Sequence, residues 1–183
     1  MKRTVAFALM IPLLLSGCGA RRAERSWREW QQELNERESI AFSAHITSRS
    51  ETDAVTFSAD VRAEGEEVVT EVTAPETIRG ARFTSTGTGT ELTCSETTLS
   101  LTALRPSALP PCLAAALLLT GAREGHLLYT SERGGNDLAV FSGPEETTVT
   151  LIRGPEGALL AGEIARDGVT ELTLDISDWL TKE

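Results

Sequence analysis

The sequence predicts an α+β domain, an antiparallel sheet of about 11 strands with one helix before it and a second, buried helix interrupting it. Three observations predict it. Apolar and polar residues alternate over successive segments, each closed by a tight turn, which is the pattern of strands with one buried face. A short segment ahead of them spaces its apolar residues by three and four. A run of alanine and leucine, opened by prolines, then separates an earlier group of strands from a later one.

At the N-terminus, Lys2 and Arg3 precede an apolar stretch from Val5 to Leu15, and Leu15-Ser16-Gly17-Cys18 closes it. That stretch is too short for a hydrocarbon core of ~30 Å, which needs about 20 residues. It reads as a cleaved targeting leader rather than a transmembrane helix. The pattern resembles the lipobox of bacterial lipoproteins. The resemblance implies that residues 1–17 are removed and that Cys18 is diacylated at sulfur and becomes the mature N-terminus. The protein would then be held outside the cytoplasm on the cell membrane, or on an outer membrane where the envelope has two. The other reading is an ordinary secretory leader with a chance cysteine. Two acyl chains hold a protein stably where one does not, at about 0.8 kcal/mol per buried methylene.

Residues 18–25 are expected to be a lipidated tether, and residues 26–183 a single domain. Ser26-Trp27-Arg28-Glu29 has the form of a capping box, with Ser26 as N-cap and Glu29 reaching back. The helix it opens should run to about Arg37, with Trp27, Trp30 and Leu34 on one stripe. That stripe either packs on the domain or sits at headgroup depth in a membrane; we take the first reading.

From Ile40 the period becomes two. Ile40, Phe42, Ala44 and Ile46 form one apolar face, and Val55, Phe57, Ala59, Val61 and Ala63 repeat it after a Glu51-Thr52-Asp53 turn. Val68 to Ala74 follows Glu64-Gly65-Glu66, and weaker, threonine-rich strands are expected over Ile78 to Ser85, Glu91 to Cys94 and Thr97 to Thr102. Pro106 to Pro111 then breaks the sheet. Pro110 and Pro111 suit a first helical turn, and Cys112 to Thr120 forms an apolar helix ended by Gly121. Being apolar on nearly all sides, it should be buried. Five further strands are expected over His126 to Glu132, Asp137 to Ser142, Thr147 to Arg153, Ala158 to Ala165 and Val169 to Ile176.

Loss of the leader removes Lys2 and Arg3, so 17 basic residues fall to 15 against 27 acidic ones, and the mature charge is −12. Such a charge opposes nucleic-acid binding, which depends on neutralising phosphates. Of three cysteines, Cys18 is assigned to the lipid, and Cys94 and Cys112 are expected to pair in an oxidising compartment. No G-x-S-x-G elbow, H-E-x-x-H pair or phosphate loop is present, and Thr86-Gly87-Thr88-Gly89-Thr90 has no following lysine. His45 and His126 read as exposed strand residues, and the carboxylates of Glu64, Glu66 and Glu67, and of Asp175 and Asp178, as solvated turn and strand-end groups. No catalytic residue, metal site or cofactor is therefore assigned, and the protein is read as no enzyme.

The lipobox, the N-terminal helix, Ala41-Phe42-Ser43-Ala44, Ala74-Pro75 with Gly80, and the helix from Pro110 to Gly121 resemble the LolA/LolB-like lipoprotein superfamily. The resemblance implies a half-barrel, an unclosed curved sheet covered by helices, over most of the mature chain. It also implies one of several roles: carriage of acylated proteins, binding of a lipid, or regulation of a cell-wall enzyme as in spore-germination lipoproteins. Binding of a lipid or acyl chain in a concave cavity is the leading expectation, with Phe42, Ile46, Phe57 and Val61 as candidate lining. Docking of an envelope protein by a strand edge within Thr84 to Thr102 is the alternative.

Overall fold

The computed structural model describes residues 21–49, 54–95, 97–101, 109–144 and 146–182. Cys18, the leader, the Glu51-Thr52-Asp53 turn and Pro106 lie outside them. The fold is an α+β half-barrel with eleven antiparallel strands in one sheet. The first group is β1 (Ser39–Arg49), β2 (Ala54–Glu64), β3 (Glu67–Ala74), β4 (Arg82–Thr86), β5 (Gly89–Cys94) and β6 (Thr97–Ser100). The second is β7 (Leu127–Arg133), β8 (Asn136–Ser142), β9 (Thr147–Arg153), β10 (Leu159–Arg166) and β11 (Val169–Lys182). Each group is a meander of neighbours, and among the described residues the two pair only between β1 and β11, so the order is β6-β5-β4-β3-β2-β1-β11-β10-β9-β8-β7. Register shifts interrupt the β1–β11, β2–β3, β9–β10, β10–β11 and β7–β8 pairings. Such bulges bend strands and increase twist, which is how one sheet curls around its own helices.

Two helices fill the hollow. Helix α1 covers residues 21–36 and α2 is Ala114–Glu124, entered through a tight turn at Pro111–Leu113. Trp27, Trp30 and Leu34 are all buried in the main core, so the apolar stripe of α1 packs on the domain. The start of α1 departs from expectation. Residues 21–25 are already helical, and Ser26 lies inside the helix, so it does not act as a cap. Its hydroxyl instead accepts a hydrogen bond from Arg153 Nη2 at 2.8 Å. Helix α2 also runs past Gly121 to Glu124. Gly121 faces Val149, where an added Cβ would lie 2.5 Å from Cγ2, so this glycine permits close helix–sheet approach instead of ending the helix. Side-chain amides of α1 finish α2: Gln31 Nε2 donates to the carbonyls of Ala122 and Gly125 at 2.9 and 3.0 Å, and Asn35 Nδ2 to that of Arg123 at 3.0 Å. These carbonyls have no partner within their own helix and would otherwise need water.

Two further boundaries differ. Ile78 belongs to a short turn, Glu76–Ile78, and β4 begins only at Arg82, after Gly80 turns the chain at φ +79°. Strand β11 continues beyond Ile176 to Lys182, where Trp179 stacks on Phe42 with ring centroids 5.3 Å apart.

Candidate functional site

Alternation along each strand sends every second side chain to the concave face, and antiparallel register aligns these into rows across the sheet. Phe42 pairs with Val61 and Ile46 with Phe57, so all four candidate lining residues share that face. None is more than 5% exposed, and all belong to the main core with α1 and α2. The structure therefore brings the four together as packed core beneath the helices.

The row through Phe42 and Val61 does not stop there. Register carries it on to Thr70, Phe83, Leu92 and Leu99, across β3, β4, β5 and β6. Thr70 is buried, Phe83 and Leu92 are half-buried, and Leu99 is 55% exposed at the end strand. The sheet's apolar inner face thus continues beyond the part that α2 covers. One row towards the rim the face turns polar, with the Ser85 and Thr90 hydroxyls hydrogen-bonded at 3.0 Å.

A cleft of about 470 Å³ opens where this wing meets α2. Val68, Ser85, Ala116, Leu119 and Arg123 contribute to its wall, while Phe42, Ile46, Phe57 and Val61 do not. Arg123 closes one side, its Nη1 donating to the Gly65 carbonyl at 2.6 Å and so tying the last turn of α2 to the β2–β3 turn. Burial lowers the Arg123 pKa, with the nearby Glu124 opposing the shift. Phe83, Leu92 and Leu99 were missed in the sequence because their strands are threonine-rich and short, and only the register shows that they extend the Phe42 row.

The remaining candidates fall elsewhere. Cys94 and Cys112 are free thiols, which corrects the expected disulfide. Cys94 ends β5 in solvent beside a left-handed Ser95, whereas Cys112 is half-buried in the turn before α2, where burial pushes its thiol pKa up. His45 is exposed and contacts Ser58 Oγ at 3.1 Å, and His126 is exposed just before β7. Glu64, Glu66, Glu67, Asp175 and Asp178 are exposed. Among the described residues no group of three His, Cys, Asp or Glu is placed to hold a metal ion. No helix among them is long and apolar enough to cross a membrane.

No protein-family model matches the chain, and no curated protein matches it. Several solved structures do. A LolA superfamily protein, NE2245 from Nitrosomonas europaea, is 13% identical over 85% of this chain and 93% of its own, with a TM-score of 0.48. A putative outer membrane lipoprotein-sorting protein domain from Vibrio parahaemolyticus is 14% identical over 87% and 93%, at 0.47. The complex of the CwlD amidase with the GerS lipoprotein from Clostridioides difficile holds a chain 11% identical over 85% and 93%, also at 0.47.

Proposed function

We propose that this chain is a non-catalytic, extracytoplasmic lipoprotein, anchored through a diacylated Cys18, that binds a lipid or acyl chain on the concave face of its sheet. The observation that carries this reading is the row Phe83–Leu92–Leu99. A single exposed leucine is ordinary on a protein surface. A row that leaves the core along a concave face, half-buried at Phe83 and Leu92 and exposed at Leu99, is the arrangement of a ligand groove. Fully burying a leucine or phenylalanine side chain contributes about 1.5–3 kcal/mol, so a chain laid along these residues recovers energy that the empty domain forgoes. The lining is thereby moved from Phe42, Ile46, Phe57 and Val61 to the wing beyond them.

The test is mass spectrometry of lipid extracted from the mature chain, purified from an oxidising compartment without detergent. The expected result is one co-purified lipid per domain, lost in Leu99→Glu while the melting temperature stays near that of the parent. Phe57→Glu should instead unfold the domain. An empty parent domain, or a Leu99→Glu variant that keeps its lipid, rejects the groove.

One observation favours a second reading, docking of a cell-wall or envelope enzyme. Of the described strands within Thr84 to Thr102, β6 is the one at a sheet edge, and it is four residues long. The other end strand, β7, offers seven residues, with Leu128 and Tyr129 more than half exposed. A long apolar edge invites strand addition by a partner. Crosslinking from Tyr129 in membranes should capture one reproducible envelope protein if this reading holds, and none if it does not.

A further inference from the structure

Helix α1 carries its charge in two halves. Arg21, Arg22, Arg25 and Arg28 are all exposed on its first two turns, with Glu24 the only acid among them. Glu29, Glu33 and Glu36 are exposed on the turns that follow. Spacings of three and four put Arg21, Arg25 and Arg28 on one stripe, away from buried Trp27, Trp30 and Leu34. Among the described residues none of these four arginines takes part in an ion pair. Beyond Arg28 the chain holds 26 acidic residues against 11 basic ones, so the patch is a local positive site on an acidic body.

Its position selects its partner. Arg21 lies three residues after Cys18, a reach of about 10 Å at full extension. That is close to the Debye length of about 8 Å at physiological ionic strength. An anchor at Cys18 therefore keeps the first turn of α1 inside the field of the leaflet that holds it. We propose that the arginine-bearing turns of α1 dock on the anionic phospholipid surface beside the acyl anchor, while the acidic remainder is held away. This rests on the reading of Cys18 as lipidated.

The test uses the whole mature chain with Cys18→Ser, so that no acyl chain contributes, and vesicles of phosphatidylglycerol and phosphatidylcholine in equal parts. Salt is held at about 10 mM, where the Debye length is about 30 Å. Each arginine near an anionic surface contributes about fivefold to partitioning, and the acidic body offsets part of this. The quadruple variant R21Q/R22Q/R25Q/R28Q should co-sediment at least tenfold less, roughly, with an unchanged thermal transition because all four side chains are exposed. Binding should vanish on pure phosphatidylcholine vesicles and at about 1 M salt. Equal partitioning of parent and variant, or equal binding to both vesicle types, overturns the proposal. The mass of Cys18 in chain purified from membranes is read separately, so a missing acyl group refutes the anchor without being confused with a failure of the arginine patch.

Discussion

Arg153 stands at the end of β9 with its guanidinium 4.3 Å from the centroid of Trp27. It donates to Ser26 Oγ at 2.8 Å and to Asp137 Oδ2 at 3.0 Å, and is itself buried. One side chain thus fixes α1 to the sheet through a cation–π contact with Trp27 and a hydrogen bond to Ser26, while Asp137 of β8 holds its guanidinium. Arg153→Met keeps the bulk of the stem and removes both interactions, and should cost about 1–3 kcal/mol in chemical denaturation. Asp137→Asn should cost less than about 1 kcal/mol, because the Asp137 side chain is 54% exposed and its charge is screened. Equal losses would mean that the ion pair, rather than the Trp27 contact, holds the helix. The cysteines allow a second test at this scale. In the native protein two thiols should react with an alkylating reagent, Cys94 fast and Cys112 slowly, since burial disfavours the Cys112 thiolate. The Cys112 reaction should be slowest below the ordinary thiol pKa, where its thiolate is scarcest. Absence of reactive thiol before denaturation would restore the disulfide.

Helix α2 is placed by residues that are not there. Gly121 lets it close on Val149 of β9, and Gly162 of β10 leaves room for the fully buried Leu118. Gly121→Ala would put a Cβ 2.5 Å from Val149 Cγ2, and overpacking of this kind costs about 1–3 kcal/mol. Val149→Ala alone leaves a cavity and also destabilises. The double variant should be more stable than the sum of the two single losses predicts, by about 0.5–3 kcal/mol for residues in contact. Strict additivity would show that the helix shifts as a body and that these residues do not set its depth.

The same elements show what could be read in advance. Strands β1, β2 and β3 were legible because Phe42, Phe57 and Val68 belong to alternations that can bury only one way. The apolar α2 was legible for the same reason. Ser26-x-x-Glu29 misled because a capping box describes only local groups, whereas Arg153, distant in sequence, takes the Ser26 hydroxyl inside a longer helix. Ile78 misled because Pro75 and Gly80 hold a turn that its hydrophobicity does not reveal. The groove residues Phe83, Leu92 and Leu99 could be named as strand positions, but their shared row is a property of register across three hairpin-linked strands.

At the scale of the molecule, the central pairing joins the first strand to the last. Ser39 faces Lys182 and Ser48 faces Leu172, while every other pairing joins strands adjacent in the chain. Each meander can form from local contacts, but neither buries its inner face alone. Phe42 and Ile46 lie on β1, Leu172 and Leu174 on β11, and all four belong to one core. Long-range pairing must pay loop-closure entropy before its contacts form. The two halves should therefore depend on β11 for cooperative folding. A chain ended after Asp167 retains ten strands and both helices in sequence, yet it loses buried Leu172, Leu174 and Ile176 and, among the described residues, the one strand pairing between the meanders. It should show no cooperative thermal transition and no fixed near-ultraviolet signal from Trp27 and Trp30. Ending the chain after Ser177 instead removes Trp179 and the exposed tail but keeps those three residues, and cooperativity should survive at a lower midpoint. A cooperative melt from the shorter chain would show that one half folds by itself, and the half-barrel would then be two sub-structures joined at β1 rather than one core closed by β11.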